Sequence, residues 1–167
     1  FEPVATLDGA WQVAFDPKWG GPAQVDFAAL TDWTQNALDG IRHYSGTAVY
    51  RKTFKAPTDA TVLDLGDVRE LASVKLNGKA LGTVWATPFQ IDVTGLLKAG
   101  GNELEIEVVN LWSNRVIGDE ARPVAERYTK TNIRSLLPTT PLMPSGLLGP
   151  VRLLKPASTQ ANRAITP

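Results

Sequence analysis

An all-β sandwich or jelly roll is the fold this sequence predicts, on three observations. Short runs alternate apolar and polar residues with period two. Fourteen glycines and twelve prolines punctuate those runs, and helix signals are scarce. Roughly seven short strands joined by Gly/Pro turns are the pattern of two packed antiparallel sheets.

The elements follow in chain order. "GAWQVAFD" is a strand in which Trp11 alternates with core residues, so Trp11 is expected to be buried. "DPKWGGP" is a turn that leaves Trp19 exposed, and "VDFAALTDWTQNAL" has room for a short helical turn. "TAVYRKTF" and "TVLDLG" read as strands, the first with mixed parity and no assignable faces. "SVKLNGKALGTVW" is a hairpin around Asn77-Gly78. A four-residue turn, Asn77 to Ala80, is preferred there, because it sets Leu81 opposite Leu76 and puts Val74, Leu76, Leu81 and Trp85 on one face.

"FQIDVT" places Phe89, Ile91 and Val93 inward and Gln90, Asp92 and Thr94 outward. After the turn "GLLKAGGN", the run "NELEIEVVN" is the clearest strand. Leu104, Ile106 and Val108 share its buried face, and Glu103, Glu105 and Glu107 share its wet one. From about Trp112 to Gly149 no strand is expected, and prolines fall at positions 123, 138, 141, 144 and 150 (the last just beyond the stretch). A connection that long inside a domain is uncommon and usually has a function. "PVRLLKP" closes the sandwich. The expected organisation is one β-sandwich domain over residues 1 to 155, then a tail or linker over residues 156 to 167. A chain that starts at Phe1 is expected to be processed or part of something longer.

Composition narrows the function. Lys+Arg and Asp+Glu both number 17, which offers no electrostatic footprint for nucleic acid or an anionic membrane. No apolar run reaches the length of a membrane-spanning helix. Without cysteine, thiolate metal sites and cysteine nucleophiles are excluded, and a single histidine, His43, makes a serine triad or zinc site a poor reading. The carboxylates offer no evident acid/base pair of the kind glycoside hydrolysis needs.

The stretch "NLWSNRVIGD", residues 110 to 119, holds most of the candidate site residues. Continued parity points Asn110 and Trp112 inward, Trp112 capping the core and Asn110 bonding loop backbone. Asn114 and Arg115 lie past the strand end and are expected to be exposed, where an amide and a planar guanidinium suit sugar hydroxyls or a carboxylate. Asp119 is expected to pair with Arg115 or Arg122. Carbohydrate binding also wants an exposed aromatic face. The five candidate binding residues are therefore Asn114, Arg115, Trp112, Asp119 and Trp19.

"YSGTAVYRKTF", "ASVKLNGKALGTVWATPFQIDVTGLLKAGGNELEIEVVNLWSNR" and "PSGLLGPVRLLKP", taken together, resemble the jelly-roll, galactose-binding-domain-like "sugar-binding" domain of glycoside hydrolase family 2 enzymes. With "NRVIGD" and the Pro-rich loop the chain is closer still to a β-sandwich domain of family 106 α-L-rhamnosidases. The resemblance covers about residues 40 to 155 and implies a non-catalytic module that packs on a separate catalytic domain. It also implies a periplasmic or extracellular protein, and a structural calcium ion whose ligands the sequence does not place. In family 2 β-galactosidases, a loop after a Trp-Ser-Asp pattern reaches the neighbouring active site. Trp112-Ser113-Asn114 stands at the matching place, with Asn114 keeping an acceptor but losing the charge. Two rivals stay open: an independent carbohydrate-binding module displaying an aromatic platform, and a structural spacer that buries Trp112 and the Pro-rich loop.

Overall fold

The computed structural model describes residues 1–132 and 136–157. Residues 158–167, most of the expected tail, lie outside the described residues. Two antiparallel sheets carry the core. The larger has the order β3 (Val25–Phe27), β2 (Trp11–Phe15), β4 (Thr47–Phe54), β10 (Asn102–Val109), β7 (Leu71–Leu76), β8 (Lys79–Val84). The smaller has the order β1 (Glu2–Thr6), β12 (Arg152–Lys155), β5 (Val62–Asp64), β9 (Gln90–Asp92). A two-stranded ribbon pairs β6 (Asp67–Arg69) with β11 (Gly146–Gly149). One hydrophobic cluster joins both inner faces, with Trp11, Tyr50, Val74 and Ile106 from the larger sheet and Leu63, Ile91 and Leu153 from the smaller. The chain is thus an all-β sandwich, as its period-two runs predict.

The central strand has the predicted faces. Leu104, Ile106 and Val108 are buried, while Glu103 is exposed and Glu105 and Glu107 are half-buried. Phe89, Ile91, Val93 and Trp11 are buried too, and Trp19 is exposed, all as expected. Ile106→Val, which deletes one methylene at a fully buried point, is expected to cost about 0.5–1.5 kcal/mol in urea melts. Glu103→Ala, on the wet face, should stay within about 0.5 kcal/mol.

Glu105 accepts from Lys75 Nζ at 3.0 Å and from Arg51 Nε at 2.9 Å. The Lys75 hydrogen bond and the two neighbouring cations hold its carboxyl below the ordinary value of 4.5, against the opposing effect of burial. A depressed folded-state pKa stabilises the fold above the unfolded pKa, and that contribution is lost as pH falls through the folded pKa. Glu105→Gln should therefore flatten the acid limb of stability against pH, by less than about 1 kcal/mol for so exposed a pair.

The hairpin corrects the four-residue expectation. Leu76 pairs with Lys79, so the turn is the two residues Asn77 and Gly78, at φ 52° and 81°. Positive φ at both positions is what a type I′ turn demands, and Asn-Gly supplies it. The register then shifts between Val74 and Lys75, which face Gly82 and Ala80, so Leu81 is the extra residue of a bulge. That bulge, and not a wider turn, brings Val84 opposite Ala72 on the core side. Trp85 falls beyond β8 and is 77% exposed, against the expectation that it joins the apolar face.

The long connection is also more ordered than expected. It contains the helix α2 (Ser113–Glu120), a 3-10 turn at Val124–Glu126, and β11, where no strand was expected. A second short helix, α1 (Asp39–Arg42), and a 3-10 turn at Trp33–Gln35 supply the helical turn expected near residue 33. Trp33 is fully buried, and its Nε1 donates to Tyr50 Oη at 2.6 Å. The same hydroxyl accepts from Leu147 N at 3.2 Å. Burial pushes the Tyr50 phenol above its ordinary value, so it serves here as a neutral linker between the core and β11.

Candidate functional site

Strand β10 ends at Val109, and the chain turns on Asn110. The Asn110 amide donates to the Tyr44 carbonyl at 2.9 Å and to Ser145 Oγ at 3.1 Å, and accepts from Gly46 N at 3.0 Å. This is the edge-of-core amide bonded to loop backbone that parity predicts. It ties the approach to β4, the exit of β10 and the approach to β11 into one corner. Trp112 does not follow the same parity. The strand has ended, Trp112 adopts an α-helical backbone as the N-cap of α2, and its side chain is 52% exposed instead of capping the core.

Asn114 and Arg115 correct the expectation of exposure: each is 1% exposed, as is Asp119. Every residue from Asn114 to Asp119 in α2 is buried. Asn114 Nδ2 donates to the Met143 carbonyl at 2.7 Å and to Ser145 Oγ at 3.1 Å, and Asn114 Oδ1 accepts from Met143 N at 2.8 Å. This two-way clamp fixes the run before β11 against α2. Ser145 N in turn donates to Asp32 Oδ1 at 3.0 Å, and Trp33 N donates to the Ser145 carbonyl at 3.0 Å. Ser45 Oγ donates to the Leu111 carbonyl at 2.8 Å and accepts Arg115 N at 3.1 Å, satisfying one of the orphan N–H groups of the helix start.

The far end of α2 is held by charge. Arg115 Nε and Asp119 Oδ1 form a buried ion pair at 3.1 Å, one of the two pairings expected for Asp119. The contact is not aligned as a hydrogen bond, and the guanidinium nitrogens have no hydrogen-bond partner among the described residues. Its flat face lies 4.8 Å from the centre of the Tyr128 ring, which Arg122 also approaches, at 5.2 Å. Burial draws the Arg115 pKa below its ordinary value and Asp119 opposes that. Asp119 Oδ2 accepts from Thr129 N at 2.7 Å and Thr129 Oγ1 at 2.8 Å. Gly118 makes the arrangement fit: a Cβ there would stand 2.7 Å from both Arg115 Nη2 and His43 Cβ.

Three ion pairs nearer the surface close the outside. Arg127 grips Glu120 with both terminal nitrogens, at 2.7 and 3.3 Å. Arg122 Nη2 lies 2.9 Å from Asp39 Oδ2, and His43 Nδ1 lies 2.8 Å from Asp39 Oδ1. Burial raises the Asp39 pKa, but its bonds to Arg122 and His43 outweigh that and hold it below the ordinary value.

Beside these ion pairs the end also presents apolar side chains to its surroundings. Leu111, Trp112 and Met143 are 43%, 52% and 43% exposed, and Ser113 Oγ approaches Met143 Sδ at 3.2 Å. Of the five candidate residues, Trp112 and Trp19 remain at the surface, while Asn114, Arg115 and Asp119 form the support beneath it. Sequence reasoning missed Ser45, Tyr128, Met143 and Ser145. Ser45 and Ser145 stood in the quoted "YSGTAVYRKTF" and "PSGLLGPVRLLKP" motifs, and nothing in the local pattern marked the other two. Among the described residues no three His, Asp or Glu side chains converge as a metal cluster.

Against known proteins, the family model for the glycosyl hydrolase 2 galactose-binding domain-like domain matches residues 30–140. The rhamnosidase structure from Novosphingobium sp. PP1Y superposes with a TM-score of 0.85 at 42% identity, over 91% of this chain and 15% of that one. A Formosa agariphila protein named "Putative beta-glucuronidase" is 38% identical over 88% of this chain and 15% of its own length. The β-glucuronidase of Ruminococcus gnavus shares the fold, with a TM-score of 0.55 at 22% identity over 64% of this chain and 21% of that one. The chain therefore spans about 15% of the length of the first two relatives.

Proposed function

Since the chain belongs to the glycosyl hydrolase 2 galactose-binding domain-like family, we propose that it is a non-catalytic module of a rhamnosidase-like glycoside hydrolase. In this reading the module seats against the catalytic domain through Leu111, Trp112 and Met143. The observation that carries the proposal is the pairing of an exposed apolar trio with a rigid polar support beneath it. Large apolar side chains held in one place at a surface mark an interaction site.

Three further points support the same reading. Three carboxylates at this end are engaged: Asp119 by Thr129, Asp39 by His43 and Arg122, and Glu120 by Arg127. Their internal partners argue against using these three for acid/base work on a glycosidic bond. The rhamnosidase neighbour at 42% identity favours a rhamnosidase-like parent over a glucuronidase. The exposed Trp112 counts against a spacer that buries its rim. Any sugar contact made from this end falls to Trp112 and Trp19, with Asn114, Arg115 and Asp119 acting through the loop they hold.

The test has two parts. The chain alone should turn over neither an aryl α-L-rhamnoside nor an aryl β-D-glucuronide. In the full-length protein, Trp112→Glu should lower kcat/KM by about tenfold or more, as loss of a central aromatic anchor does. In the isolated chain the same change should leave stability within about 0.5 kcal/mol. Turnover by the chain that a single Asp or Glu substitution abolishes would overturn the non-catalytic reading. An unaffected full-length enzyme would overturn the docking role.

A further inference from the structure

The outer face of the larger sheet carries a groove of about 520 Å³, within the size range of small-ligand sites. Its lining is set by register. One cross-strand row places Gln12 opposite Arg51, Arg51 opposite Glu105 and Glu105 opposite Lys75. The next places Thr53 opposite Glu103. Lys52 also borders the groove, its Nζ donating to the Ala10 carbonyl at 2.8 Å and lying 5.1 Å over the Trp11 ring.

A charged ladder on a sheet face is often no more than cross-strand pairing. Here the pairing leaves a specific set of groups unused. Glu105 is shared by Lys75 and by Arg51 Nε, so Arg51 is anchored by one nitrogen while its two terminal nitrogens make no hydrogen bond among the described residues. A guanidinium held in this way presents the fork that matches a carboxylate. The side chains of Gln12, Thr53 and Glu103 are exposed beside it, without partners among the described residues. Three cations line the groove against two carboxylates, one of them already neutralised, although the whole chain is balanced. Among the described residues no aromatic ring lines the groove, so recognition there rests on hydrogen bonds and charge and not on stacking. Adjacent strands stand about 4.8 Å apart, which spreads these groups at the scale of a whole pyranose ring.

We propose that this groove binds an oligosaccharide bearing a uronic carboxylate. Arg51 takes the carboxylate through its two terminal nitrogens, and Gln12, Thr53 and Glu103 bond the ring hydroxyls. The site is separate from the docking end: Glu105 lies five residues before Asn110, about 17 Å along an extended strand. It stands whether or not that end seats a catalytic domain.

The experiment is a titration of the isotope-labelled chain with trigalacturonate, followed by amide chemical shifts, beside galactotriose and a triglutamate peptide. Saturable shifts centred on Gln12, Arg51, Thr53 and Glu103, with the acidic sugar preferred to both controls, are expected. Added salt should weaken binding, and Arg51→Gln should weaken it about tenfold, the scale of a lost charge-assisted pair. Trp112→Ala should leave it unchanged. Melting curves of Arg51→Gln should match the parent chain, which separates lost binding from lost fold. Equal response to galactotriose or triglutamate, shifts centred elsewhere, no saturable response to trigalacturonate, or full binding by Arg51→Gln would each overturn the proposal.

Discussion

Asp119→Ala is expected to destabilise the chain by about 3–5 kcal/mol, the scale found when one partner of a buried ion pair is removed. Asp119 is the carboxylate paired with the Arg115 guanidinium, and both side chains are almost fully buried. Their 3.1 Å contact lacks hydrogen-bond alignment, so its contribution is mainly the compensation of a buried charge. Removing Asp119 leaves, among the described residues, a buried cation with the Tyr128 ring face and the weaker pull of Asp39 to offset its desolvation. It also frees Thr129 N and Oγ1, which both donate to Asp119 Oδ2. Urea denaturation reads the effect as a drop in midpoint at constant slope. The double variant Asp119→Ala with Arg115→Met should recover part of the loss, because it removes the orphaned charge. A cost below about 1 kcal/mol for Asp119→Ala would show that the pair is solvated and not buried.

The second large effect is expected at Asn114, where alanine should cost about 2–4 kcal/mol, the loss of several hydrogen bonds with partners left unpaired. Three bonds are lost: to Met143 O at 2.7 Å, from Met143 N at 2.8 Å and to Ser145 Oγ at 3.1 Å. Ser145 keeps a bond to Met143 O, but Met143 N–H loses the Asn114 acceptor. The sequence alone predicts a nearly unchanged melting temperature here, because it places Asn114 in a solvent-facing loop. Burial reverses that expectation. A thermal melt separates the two: a fall of several degrees assigns Asn114 to architecture, and a shift within error returns it to the surface.

The parts of the fold that were legible are those where burial acts on every second residue. In β10 and through Phe89, Ile91 and Val93, one face meets the opposite sheet and the other meets water, so the pattern is written in residue type. Asn110 was legible for a related reason, since the strand still fixed its direction. Two residues later it no longer did, and Trp112 points outward on a helical backbone.

Helix α2 was not legible because nothing local announces it. Its side chains from Asn114 to Asp119 are buried on all sides, so it has no apolar stripe of helical period. Its stability comes from distant groups, Ser45 at its start, Met143 along its side and Thr129 at its end. Eight residues with Gly118 and two β-branched positions would not hold a helix in isolation. The hairpin failed differently. The turn chemistry of Asn77-Gly78 was readable, but the bulge at Leu81 changes parity inside the strand, and sequence reasoning passed over its mark, Gly82 at φ 123° beside it.

Amide hydrogen exchange, compared between the isolated chain and the full-length protein, bears most directly on the claim that the Leu111, Trp112 and Met143 end is a buried domain contact on a rigid support. Residues 114–119 should be protected in both, because their bonds are internal to the sandwich. The segments around residues 111–113 and 143 should exchange quickly in the chain and become protected in the full-length protein. Equal exchange of those segments in the two forms would contradict the account, since it would leave the exposed trio uncovered in the assembled enzyme.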